Sequence, residues 1–141
     1  MSLDKMDNVL LDWENRIKSD TFCPIIKKYF PKFTDTSYDG LKDLEIFILE
    51  SYKSPQEVPD DLKESIEAYI SKGLIDRYKG SFVDVSQKIP DSKSMVAISY
   101  EDLDHMDVCS TLMNIPFILK TGEYWVSLFE TNNAILESKK Q

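Results

Sequence analysis

The spacing of apolar residues changes period once along this 141-residue chain, near residue 80, and that change limits the folds open to it. Before it, apolar side chains recur every three or four residues, the period of a helix with one buried face. Leu3, Met6, Val9, Leu10, Trp13 and Ile17 predict a helix over about 3–18, capped by Ser2. Pro24 suits the first helical position of a short second helix, which Pro31 ends. Asp39-Gly40 opens a third helix over about 40–52, with Leu41, Leu44, Phe47, Ile48 and Tyr52 turned to the core. The fourth begins after Pro59, where Asp60, Asp61 and Glu64 complement the positive end of the helix dipole. Leu62, Ile66, Tyr69 and Ile70 line its face, and Gly73 stands where a left-handed cap would close it.

After residue 80 the period falls toward two. Ser81 to Val85 and Met95 to Tyr100 alternate as strands, joined through a turn at Ile89-Pro90-Asp91-Ser92. Glu101 to Leu112 predicts a helical segment entered after Ser99. Pro116 to Leu119 and Tyr124 to Phe129 predict a hairpin across Lys120-Thr121-Gly122-Glu123, and residues 131–138 a last helix. Helices first and strands after is the α+β pattern. The expected fold is an N-terminal half of about four helices packed on a small, mostly antiparallel C-terminal sheet. It forms one domain over 1–141, mainly helical over 1–75, mainly strand over 81–130, with a frayed tail at 138–141.

A chain of this length buries enough surface to be stable without a disulfide or a metal. Cys23 and Cys109 read as thiols in a reducing compartment. No apolar run approaches the roughly 20 residues of a membrane span, and Met1 to Lys5 lacks a secretion pattern, so a cytoplasmic chain is expected.

Charge narrows the function. Acidic side chains number 25 against 17 basic, a formal charge of −8. Between residues 81 and 137 nine acidic groups face three basic ones. Nucleic acid and anionic membranes are bound through lysine and arginine, which this half scarcely offers, so a basic protein is the expected partner. The densest segment is Glu101-Asp102-Leu103-Asp104-His105-Met106-Asp107. On a helix Glu101, Asp104 and Asp107 form one ridge, which repels itself and suits a lysine-rich partner. Glu101, Asp102, Asp104 and Asp107 are the predicted partner-binding residues. Trp125 joins them because tryptophan dominates interface energetics, although the aromatic faces around it also suit burial.

Catalytic patterns do not assemble. Residues 35–46 follow an EF-hand calcium loop in part, with oxygen ligands at positions one, three, five and nine and Gly40 at six. The twelfth position, which needs a bidentate glutamate, is Ile46. Cys109 lies four residues beyond His105, within reach on a helix, but acidic surroundings suppress a thiolate. The four glycines, Gly40, Gly73, Gly80 and Gly122, serve turns and caps and form no phosphate loop. No catalytic residue, cofactor or metal is expected.

The leading expectation is a non-catalytic inhibitor or immunity-type protein that masks a basic partner such as a toxin nuclease. The order Leu41 to Lys53, Pro59 to Lys72, then Lys72-Gly73-Leu74-Ile75-Asp76-Arg77 and a strand from Ser81 resembles a winged-helix module over about 40–86. That resemblance implies a helix-turn-helix with a wing. The would-be recognition helix starts Asp60-Asp61-Leu62-Lys63-Glu64, which would aim carboxylates at DNA and fits a regulatory or adaptor variant that binds protein. An enzyme built from scattered residues would require Asp104, His105 and Cys109 to meet in one pocket.

Overall fold

A computed structural model describes residues 2–19, 21–34, 38–85 and 96–140, with side chains from residue 8 onward. Helix α1 spans Ser2–Lys18, α2 Phe22–Tyr29 and α3 Tyr38–Ser51; a 3₁₀ turn at Pro55–Glu57 leads to α4, Asp60–Tyr78. Strands β1 (Gly80–Asp84), β2 (Val96–Tyr100) and β3 (Met106–Val108) follow, then α5 (Ile115–Leu119) and α6 (Tyr124–Lys139). The fold is α+β, with four helices ahead of a small antiparallel sheet in order β1-β2-β3. Phe82 pairs with Ile98, and Ile98 with Asp107. The turn predicted at Ile89 to Ser92 lies outside the described residues.

Helix α4 is the axis of the molecule. It packs on α1, α2, β1, β2 and α6. Leu62, Ile66, Ala68, Ile70 and Leu74 are buried on it, distributed over more than one face. One continuous core joins Trp13, Ile26, Leu44, Ile66, Ile98 and Trp125, so both halves close around the same centre.

Three local predictions are corrected. Helix α4 does not end at Gly73 but runs on to Tyr78, where Lys79 takes the left-handed conformation (φ 55°) and its N–H returns to the Ile75 carbonyl. Gly73 serves packing instead: a Cβ there would lie 3.1 Å from the Phe129 ring, so its absence lets α6 cross closely. Glu101 to Leu112 is not helical. Asp102 and Asp104 flank a tight connection that drops Leu103 into the core, and β3 then pairs with β2. Aspartates favour such turns because their short side chains compete with helical hydrogen bonds.

The predicted hairpin over 116–129 is helical. Pro116 sits in the first turn of α5, where its missing N–H costs nothing. Tyr124 to Phe129 forms the start of α6 and is continuous with the helix expected at 131–138; Lys139, placed in the frayed tail, is its last residue. Among the described residues no helix is long and apolar enough to cross a membrane.

Candidate functional site

The acidic segment after β2 folds into two populations. Glu101, Asp102 and Asp104 are exposed. The chain supplies its own cations to two of them: Lys79 Nζ lies 4.0 Å from Asp102, and Lys139 Nζ lies 3.8 Å from Asp104. Lys139 also donates to the Asp102 carbonyl. These lysines lie 23 or more residues away in sequence, so at Asp102 and Asp104, though not at Glu101, the segment only looks uncompensated when read along the chain.

Asp107 turns inward. Its Oδ2 accepts from the Tyr100 hydroxyl (2.7 Å) and from Asn132 Nδ2 (3.2 Å), with His105 Nε2 at 3.8 Å. Asn132 is fully buried. Burial and the neighbouring carboxylate push the Tyr100 phenol well above its ordinary pKa, so it remains a donor. This cluster ties β2 and β3 to α6. The ridge expected from Glu101, Asp104 and Asp107 therefore does not form, since it required a helix and Asp107 is turned into this cluster.

Trp125 is wholly buried and its indole N–H donates to the Leu112 carbonyl at 2.8 Å. It belongs to the core and offers no contact surface.

His105 and Cys109 are not a helical pair. Cys109 follows β3, is buried, and donates from Sγ to the Val96 carbonyl at 3.2 Å. Burial pushes its thiol up to about 12, which leaves it protonated at neutral pH. No disulfide joins it to Cys23. Of the calcium-like loop, residues 35–37 lie outside the described residues. Its eleventh residue, Glu45, is fully buried and engaged elsewhere: Oε2 accepts from the Tyr124 N–H (3.0 Å) and Oε1 from the Trp125 N–H (2.7 Å). A carboxylate from α3 thus caps α6, a role no local pattern announces. Among the described residues no group of three or more His, Cys, Asp or Glu converges on a metal position.

The would-be recognition helix, α4, is enclosed by its neighbours. Its carboxylates Asp60, Asp61 and Glu64 are exposed at the N-terminus. Asp61 accepts from the Tyr29 hydroxyl at 2.7 Å, which holds its pKa below the ordinary value.

Among the described residues the exposed large apolar side chains are Leu11, Ile46, Met106, Ile118 and Leu119. Three of them lie on α3 and α5, which pack together. Ile118 is 75% exposed, Leu119 51% and Ile46 38%. The strand expected over Pro116 to Leu119 hides this surface, because apolar side chains of a strand alternate between faces whereas α5 leaves the adjacent Ile118 and Leu119 both exposed. Reading 115–119 as a helix would have flagged it.

Compared with protein-family models, curated proteins and solved structures, the chain matches none.

Proposed function

We propose that this chain is a non-catalytic binding protein of the inhibitor or immunity type, which captures a basic protein such as a toxin nuclease in the cytoplasm. The observation that carries the reading is a surface on which carboxylates outnumber the cations available to neutralise them. Asp39, Asp43, Glu50 and Glu101 are all exposed, and none has an ion pair among the described residues. Such a field steers a cationic partner into encounter and repels polyanions. The buried, protonated state of Cys109 and the internal engagement of Asp107 and Glu45 give these groups structural roles, which is consistent with a chain that binds without turning over a substrate.

The test is a tagged full-length chain expressed in its native cell and recovered at low salt. The expected result is a stoichiometric basic protein whose own activity is suppressed in the complex and returns when salt releases it. Recovery of no stoichiometric partner, or of one whose activity is the same bound and free, contradicts the reading.

A further inference from the structure

We propose that the face shared by α3 and α5 is a docking surface for a basic amphipathic helix of the partner protein. The inference rests on the binding function above and adds the surface and the chemistry that fills it.

Asp39, Asp43, Ile46 and Glu50 recur on α3 at intervals of four, three and four residues, and all four are exposed. That spacing makes one stripe along a helix. Against α3 lies α5, whose Ile118 and Leu119 stand in water. A single exposed leucine is ordinary on a protein surface. Two adjacent bare aliphatic side chains on a five-residue helix that packs on α3, together with the exposed Ile46 of α3 itself, are exposed apolar surface of the kind that marks an interface.

The turn after α5 is fitted against α3. Gly122 in the turn after α5 adopts φ 74°, and a Cβ there would lie 2.9 Å from Ile46 Cγ1, so the turn is seated on the stripe. Lys42 Nζ meets Glu123 at 3.2 Å across the same junction. Glu45, the neighbour of Ile46, fixes the first residues of α6 behind it. A preformed surface loses little freedom when a partner arrives.

The charges favour a basic partner, although Lys53 and Lys120 are exposed near the ends of α3 and α5 and Lys42 is already paired with Glu123. Asp39 lies in the first turn of α3, where the helix dipole favours it. Glu50 lies in the last turn, where the dipole disfavours a carboxylate, and no basic residue accompanies it there. Neither it nor Asp43 is ion-paired among the described residues, whereas Asp102 and Asp104 are met by the chain's own lysines. A helix whose apolar side chains cover Ile46, Ile118 and Leu119, and whose lysines or arginines flank that row, would supply the missing cations to Asp43 and Glu50. A second copy of this chain would set carboxylate against carboxylate.

The ¹⁵N-labelled full-length chain is titrated with a synthetic helix of about 20 residues carrying leucine at heptad spacing and lysine elsewhere, and with its glutamate counterpart. The lysine helix should shift amides over 39–50 and 115–123, and the glutamate helix should shift none. Ile118→Ser with Leu119→Ser, and Asp43→Lys with Glu50→Lys, should each weaken binding about tenfold or more, while Asp102→Lys with Asp104→Lys leaves it within about twofold. All these positions are exposed, and unchanged thermal unfolding verifies that the variants fold. Shifts centred on Glu101 to Asp104, or affinity indifferent to both the α3 and α5 variants, overturn the proposal. So does a dimer, seen by sedimentation, that Ile118→Ser dissolves. If the native basic partner binds these variants as it binds the parent chain, the docking face is wrong and the binding function stands. If no basic protein binds the parent chain, both fail.

Discussion

Glu45 and Glu67 are both carboxylates withdrawn from water, and they do different work. Glu45 satisfies two N–H groups at the start of α6, one of them on the fully buried Trp125. Removing it leaves donors with no acceptor, which costs more than the net value of the bonds. Glu45→Ala should lower unfolding stability by about 2–3 kcal/mol, and Glu45→Gln, which keeps one acceptor, by less, as read from denaturant midpoints. Glu67 on α4 reaches Arg16 on α1 at 3.3 Å. Burial raises its pKa from the usual 4.5 to about 7, and Arg16 only partly offsets that. The folded chain therefore holds this proton more tightly than the unfolded chain. Its contribution is fully present below the ordinary carboxylate value and is lost as pH rises toward 7, a change on the order of 2–3 kcal/mol. Glu67→Gln should remove that slope, seen as the difference between parent and variant stabilities measured from pH 4.5 to 8. A difference that stays constant over this range would mean Glu67 is ionised in the fold at ordinary cost.

At the scale of elements, the helices with one apolar stripe were legible and those shaped by distant partners were not. Trp13 and Ile17 placed α1 within a residue of its bounds, and Leu41, Leu44 and Ile48 placed α3. Helix α6 was misread because Tyr124 to Phe129 alone is rich in strand-forming residues. Read through to Leu136, the inward positions Trp125, Phe129, Asn132 and Leu136 keep helical spacing, but a polar residue interrupts the apolar pattern. The acceptor that starts this helix comes from α3, 79 residues earlier, and leaves no local trace. Two turns give element-level predictions. Lys79 closes α4 in a left-handed conformation that glycine adopts without strain. Lys79→Gly should therefore raise stability by about 0.5–1 kcal/mol despite losing its weak contact with Asp102. Gly122→Ala meets both a positive φ and Ile46 Cγ1, and should cost about 1–2 kcal/mol and disturb the α3–α5 face. Thermal or denaturant unfolding checks both.

For the whole molecule, charge was legible and its location was not. The sum of −8 and the shortage of lysine after residue 80 pointed to a basic partner. The place chosen, Glu101 to Asp107 with Trp125, depended on contacts that sequence spacing does not contain. Lys79 and Lys139 fold back onto the acidic turn, Asp107 joins a buried network with Tyr100, and Trp125 fills the core. Folding also leaves Ile118 and Leu119 exposed on α5, which packs on the helix that carries the acidic stripe, an arrangement that becomes visible only once α5 is seen as a helix. The most direct measurement is the association rate of the chain with the basic protein that the proposal expects to co-purify with it, followed by stopped flow at about 20 and 200 mM salt. Steered binding predicts a rate that falls about tenfold or more with added salt, and that Asp43→Lys with Glu50→Lys lowers at the lower salt. A rate unmoved by salt and by that charge reversal would contradict the account.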